Sequence, residues 1–208
     1  MRSKICGLTT SEQVKTCIEY GANFCGFILN YTKSHRYISY EKAVELTNID
    51  KQKTKFVGVL VNPKNDELEN FSKLNLDYFQ IYGDYDFVRI KDIKKKFKKK
   101  IIVAIQVKSK NDTLNYKKFE NTADIILWDS SGLEQSVGWN FDWIKSIPKN
   151  ISKMLAGNIN INDIEYISEL ADIVDVSGAL ETNKVKDINK IKNFLNKIKK
   201  TNAKNKKR

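Results

Sequence analysis

Histidine is nearly absent from this chain of 208 residues, and cysteine is scarce: His35 stands alone, and Cys6, Cys17 and Cys25 are the only thiols. A single histidine with no cysteine near it offers little ligand chemistry, so no metal site is expected. The three cysteines form no C-x-x-C pair. Reduced thiols in a cytoplasmic protein are therefore the default expectation. No stretch approaches the ~20 apolar residues of a membrane span, so no membrane association is expected. Met1-Arg2-Ser3 leads straight into a strand pattern, so no signal peptide is expected. No linker or internal boundary interrupts the chain, which reads as one domain over residues 1–200 followed by a basic, fraying tail at 201–208. A domain of this size buries ~70% of its unfolded surface and needs no disulfide or metal staple.

Basic residues are plentiful: the formal net charge is +12. Such a balance first suggests a polyanionic partner. Apart from residues 94–100 and 204–208, however, the lysines are spread along the chain. No nucleic-acid motif is visible and the basic residues are not interleaved with exposed aromatics, so a solvated basic surface is the preferred reading. The first lysine cluster ends a helix pattern, where cations complement the negative dipole end.

Short apolar runs alternate with amphipathic runs from end to end. Strands are predicted at Lys4–Leu8, Phe24–Leu29, Lys55–Val61, Tyr78–Ile81, Ile101–Gln106, Asp124–Trp128, Lys153–Ala156 and Ile173–Val176. Helices are predicted at Ser11–Tyr20, Glu41–Thr47, Asp66–Lys73, Tyr85–Phe97, Thr113–Phe119, Phe141–Ser146, Asn162–Glu169 and Asp187–Lys199. Thr10-x-x-Gln13 and Asn162-x-x-Glu165 read as capping boxes. Eight strand-then-helix units of about 26 residues each fit an α/β protein of the (β/α)8 TIM-barrel class, near its lower size limit. The strands are near-continuous apolar runs, as expected when helices cover a sheet whose other face is also buried.

In such a barrel, function sits in the loops after the strands. Cys6 would point from the end of the first strand toward that face; taken alone, a packed structural thiol is the commoner case. The long loop after the second strand carries Arg36, suited to a two-point grip on a carboxylate or phosphate. His35 beside it reads as solvent-facing. Gln80 and Tyr82 share one face of the fourth strand and need polar partners, which a ligand can supply. Asp129 directly follows four apolar residues, surroundings that raise a carboxyl pKa and suit a general acid; a turn-capping aspartate is the alternative. Gly157 and Gly178 follow the last two strands, whose loops often build a phosphate site in this fold.

Taken together these segments resemble the phosphoribosylanthranilate isomerase family. The resemblance rests on Lys4-Ile5-Cys6-Gly7-Leu8-Thr9, Gly26-Phe27 leading to Ser34-His35-Arg36-Tyr37-Ile38-Ser39, Val57-Gly58-Val59 and Val61-Asn62, and Gln80-x-x-Gly83. It continues through Asp129, Phe141-Asp142-Trp143, Leu155-Ala156-Gly157, Val174-Asp175-Val176-Ser177 and Glu181. It implies an Amadori rearrangement of a phosphorylated small molecule, without metal or cofactor, in tryptophan biosynthesis. By the same analogy Asp129 is the general acid and Cys6 the general base. Arg36 holds the anthranilate carboxylate, Gln80 and Asp175 contact substrate, and Gly157, Asn158, Ser177 and Gly178 line the phosphate site. Gly7 would leave space beside the thiol for substrate. Monomer and homodimer are both compatible with the resemblance.

The chain departs from the family pattern in four places. Tyr82 stands where histidine is usual, and residues 134–140 keep one glycine of a glycine-rich run. Gly157-Asn158 replaces paired glycines, and Ser177-Gly178-Ala179 replaces Ser-Ser-Gly. Two rival readings are a non-catalytic nucleic-acid binder and another phosphate-handling barrel, such as an indole-glycerol-phosphate synthase relative. The second would need catalytic lysine and glutamates at strand ends, whereas Lys4 and Lys153 sit at predicted strand starts.

Overall fold

In the computed structural model, which describes residues 1–130 and 138–207, eight parallel strands close into a barrel in sequence order. They are β1 (Arg2–Cys6), β2 (Phe24–Ile28), β3 (Lys55–Val61), β4 (Tyr78–Tyr82), β5 (Lys100–Val107), β6 (Ile125–Ser130), β7 (Lys153–Leu155) and β8 (Ile173–Val176). Closure runs through β1, whose Lys4 lies opposite Asp175 of β8 while its Cys6 lies opposite Gly26 of β2. The α/β barrel expected from the alternating pattern is the fold observed.

Successive strand residues face opposite ways, so each strand feeds two cores. Ile5, Phe56, Leu60 and Val174 belong to the layer between sheet and helices. Cys6, Val57, Val59, Tyr82, Leu127 and Ile173 fill the barrel interior. Because both faces are buried, the strands read as near-continuous apolar runs. Strand β1 begins and ends two residues earlier than its apolar run suggests. Gly7 adopts φ +75°, a left-handed turn that stops the strand at Cys6. Asp129 lies inside β6 rather than just after it.

Helices α1 (Ser11–Glu19), α2 (Tyr40–Thr47), α3 (Asn65–Ser72), α4 (Phe87–Phe97), α5 (Ile164–Leu170) and α6 (Ile188–Asn205) pack outside the barrel. The Thr10/Gln13 capping box is present at α1, whereas the later box is Asn160/Asp163, two residues before the expected one. Two expected helices are 3₁₀ segments instead, Lys110–Lys118 and Phe141–Ile144. The first buries only Thr113 and Tyr116 and leaves Leu114 exposed, too narrow an apolar stripe to dock an α-helix. Helix α6 buries Ile191, Phe194, Leu195 and Ile198, then runs five residues into the segment expected to fray. Thr201 is buried there, and the Asn202 side chain bonds both the amino group and the carbonyl of Met1, each at 2.8 Å. No helix of the described residues is long and apolar enough to cross a membrane.

After β8 comes a feature absent from the sequence reading: a hairpin of β9 (Glu181–Thr182) and β10 (Val185–Lys186). Its turn residues Asn183 and Lys184 both have positive φ, the geometry of a tight two-residue hairpin loop. The pairing sets Lys186 opposite Glu181.

Candidate active site

The carboxyl ends of the strands surround a cavity of about 330 Å³. Cys6, Arg36, Asp129, Gly157, Asn158, Asp175, Ser177 and Gly178 all line it; among the residues expected at the site, only Gln80 does not. Gln80 is fully buried, one layer below the cavity. Its Nε2 donates to the Tyr82 hydroxyl at 3.1 Å, and that hydroxyl donates to Asp129 Oδ2 at 2.7 Å.

Asp129 Oδ1 accepts the Ser130 backbone N–H at 2.7 Å. Burial pushes the carboxyl up to about 6, against the Tyr82 hydrogen bond that stabilises the ionised form. The apolar strand residues that precede Asp129 supply that burial, as the sequence suggests. A carboxyl titrating there is a usable proton donor near neutrality.

Cys6 lies on the opposite wall, on the same face of β1 as Lys4. Lys4 is fully buried, and its Nζ donates to Asp175 Oδ2 at 2.8 Å. Burial pulls the ammonium toward neutrality, but Asp175 and Cys6 outweigh it, and Lys4 stays charged across the whole neutral range. Lys4 is thus the cation that the residues flanking Cys6 do not reveal. A β1 starting at Arg2 makes Lys4 mid-strand, with a long side chain reaching into the interior rather than standing on the wrong side of the barrel. The Cys6 thiol itself does not fall below its ordinary range, as a simple thiolate base would require. Burial drives it up, and Lys4 recovers only part of that shift.

Two glycines shape this wall, each by lacking a side chain. A Cβ on Gly26 would come within 3.0 Å of Cys6 Sγ and 3.1 Å of Lys4 Nζ. A Cβ on Gly7 would meet Arg36 Cδ at 2.5 Å, so Gly7 makes room for Arg36. Asp175 Oδ1 is buried without a hydrogen-bond partner among the described residues, although Asp175 lines the cavity. A buried carboxylate oxygen of this kind wants a donor, which a ligand hydroxyl provides.

Arg36 is clamped by Glu181, with Nε to Oε1 at 2.6 Å and Nη2 to Oε2 at 3.0 Å. These two bonds engage one edge of the guanidinium, and Arg36 lines the cavity. Glu181 also pairs with the buried Lys186, whose Nζ lies 3.3 Å from Ser177 Oγ. Burial works upward on Glu181, but these two cations dominate and hold it down at about 2. His35 sits at the rim, Nε2 3.2 Å from Glu181 Oε2. Lys186 escaped the sequence reading because only the hairpin turn returns it to the site.

The loops after β7 and β8 form the remaining wall. Gly157 has φ +104° and Asn158 φ +53°, the latter a left-handed conformation that asparagine tolerates. A Cβ at Gly157 would lie 2.8 Å from Trp139 Nε1, which donates to the Ala156 carbonyl at 2.9 Å. Ser177 Oγ donates to the Cys6 carbonyl at 2.9 Å, tying the last loop to the first strand. The altered glycine-rich run falls largely at residues 134–137, outside the described residues; its retained Gly138 lies beside Asn158.

Residues 3–197 match the family model described as N-(5'phosphoribosyl)anthranilate (PRA) isomerase. The N-(5'-phosphoribosyl)anthranilate isomerase of Streptococcus mutans serotype c is 37% identical over 202 residues, covering 95% of this chain and 98% of that one. Its counterpart from Zymomonas mobilis is 33% identical over 204 residues, covering 94% and 96%. A crystal structure of phosphoribosyl anthranilate isomerase from Thermotoga maritima superposes with a TM-score of 0.86 at 26% identity, covering 96% of this chain and 99% of that one. A second crystal structure, of such an isomerase with reduced 1-(o-carboxyphenylamino)-1-deoxyribulose 5-phosphate, gives a TM-score of 0.84 at 26% identity and the same coverage.

Proposed function

The chain belongs to the N-(5'-phosphoribosyl)anthranilate isomerase family, and from that premise we propose how its barrel mouth performs the isomerisation. The reaction turns N-(5-phosphoribosyl)anthranilate into 1-(2-carboxyphenylamino)-1-deoxyribulose 5-phosphate by an internal Amadori rearrangement. The observation that carries this assignment of roles is a half-buried carboxyl and a buried thiol facing one cavity, each with its own electrostatic partner.

Asp129 gives its proton to the ribose ring oxygen as the nitrogen lone pair breaks the C1′–O bond, leaving a Schiff base. Cys6 as thiolate removes the C2′ proton, and those electrons form the enolamine. Tautomerisation returns a proton to C1′ and leaves a ketone at C2′, so no atom is gained or lost. The competent site holds one proton between the two groups, on Asp129 and not on Cys6. With Asp129 at about 6 and the thiol higher, that arrangement is a minor partner of the reverse one at every intermediate pH. The two share a total proton count, so the rate rises through about pH 6 and holds until the thiol titrates.

The other edge of the Arg36 guanidinium meets the anthranilate carboxylate, while Asp175 Oδ1 accepts a sugar hydroxyl. Gly157, Asn158, Ser177 and Gly178 surround the phosphate, with Lys186 behind Ser177 as a cation. The reduced, buried thiols fit a cytoplasmic enzyme.

Freshly generated phosphoribosylanthranilate, followed by loss of its anthranilate-type fluorescence, tests the reading. Turnover by micromolar enzyme is expected, and no turnover by folded protein overturns it.

A further inference from the structure

Tyr82 occupies one of the four positions where the chain departs from the family pattern, and it touches the proposed acid directly. We infer that Tyr82, aimed by Gln80, is the positioning residue of Asp129: it fixes the plane of the carboxyl and sets how readily that group releases its proton. The inference rests on the assignment of Asp129 as the acid.

Three hydrogen bonds carry it. Gln80 Nε2 donates to the phenol oxygen at 3.1 Å, which leaves the phenol proton for Asp129 Oδ2 at 2.7 Å. The Ser130 N–H takes Oδ1 at 2.7 Å. Separate donors on the two oxygens prevent the carboxyl from rotating and keep it aimed into the cavity. Tyr82 is 7% exposed and Gln80 0%, so packing holds both side chains in place. A hydrogen bond donated to a carboxylate favours the ionised form, which makes the acid stronger than burial alone would leave it.

The other charged or titratable groups facing Asp129 come from different strands: Lys4 and Cys6 on β1, and Asp175 on β8. Its register neighbour on β5 is the uncharged Gln106, and the residue that follows β7 is Ala156. Arg36 and Lys186 reach the site from the loop after β2 and from β10. Replacing Tyr82 by phenylalanine alters none of these and removes a single hydroxyl.

The decisive experiment is a carbon-13 NMR titration of the Asp129 carboxyl in aspartate-labelled protein, assigned with Asp129→Asn. In Tyr82→Phe the midpoint moves upward by about one to two pH units, the scale of a hydrogen bond to a charged group. The lower limb of the pH–rate profile moves up with it; the substrate phosphate is common to both proteins and cannot produce that difference. Gln80→Leu, which frees the phenol from its guide, gives a smaller upward shift and serves if Tyr82→Phe does not fold. An unchanged midpoint in the folded variants overturns the inference. So does a downward one, which would mean that the phenol accepts a proton from Asp129 instead of donating to it. The titration needs no turnover, so failure of wild-type protein to consume phosphoribosylanthranilate would be seen separately from failure of the Tyr82 inference.

Discussion

Asp129→Asn is expected to make the protein more stable in neutral and alkaline solution and no more stable in acid. The carboxyl titrates at about 6 in the folded protein against 3.8 for the free side chain. The folded state therefore binds this proton more tightly than the unfolded state does. Its contribution to stability is fully present below about pH 4 and is lost as pH rises through 6. Roughly two pH units at 1.36 kcal/mol each make the ionised, buried carboxylate a penalty of at most about 3 kcal/mol at pH 8. Asparagine cannot ionise, so that penalty vanishes. Its amide nitrogen, however, must face one of the two donors now held by Tyr82 and Ser130, which costs about 1 kcal/mol at every pH. The net expectation is about 2 kcal/mol of added stability at pH 8 and a small loss at pH 4. Urea unfolding of both proteins across that range measures the difference directly. A constant offset between wild type and variant from pH 4 to pH 8 would refute the buried-acid assignment, whatever the sign of the offset.

Glu181→Gln should work in the opposite sense. Glu181 is held at about 2, below its ordinary 4.5, so its stabilisation is present above pH 4.5 and fades as pH falls toward 2. The variant is expected to lose up to about 3 kcal/mol at pH 7 and much less at pH 3 in the same unfolding assay, with KM raised because Arg36 loses its clamp. Lys4→Met leaves Asp175 buried without its ion-pair partner and should cost about 3–5 kcal/mol in denaturant unfolding. Lys4→Met/Asp175→Asn should regain part of that loss, and no regain would show that the pair is not the source. Gly157→Ala places a Cβ against Trp139 at positive φ; a loss of about 1–3 kcal/mol with a raised KM is expected. Unchanged unfolding and kinetics would mean that the loop simply adjusts.

The barrel was legible because its signals are local. Eight apolar runs at regular spacing, Thr10 with Gln13 as a cap, and the stripe of Ile191, Leu195 and Ile198 each depend on neighbours in sequence. Strand termini were less legible: Gly7 ends β1 by its backbone conformation, which its position within an apolar run conceals. Helices between β5 and β6 and between β6 and β7 reduce to 3₁₀ segments because their apolar residues do not line up along one face. At the site, residue identity came through more readily than partnership. Cys6, Asp129, Arg36 and the glycines after β7 and β8 could be named. Lys4 stands at the start of the apolar run, which conceals its place in mid-strand, although its two-residue spacing from Cys6 puts both on one face. Lys186 depends on a hairpin of two-residue strands, too short for a periodic signal. Period-two alternation puts Gln80 and Tyr82 on one face but does not tell which layer each occupies; Tyr82 lines the cavity and Gln80 lies beneath it.

The central claim is that Asp129 gives a proton to the ring oxygen and Cys6 takes a different one from C2′. The most direct test is the turnover number of wild type, Cys6→Ala and Asp129→Asn on fresh phosphoribosylanthranilate, side by side at pH 7. Both folded variants are expected to fall by at least ~100-fold, the usual scale for a general acid or base. Near-normal turnover by either one would contradict the account of that residue's role.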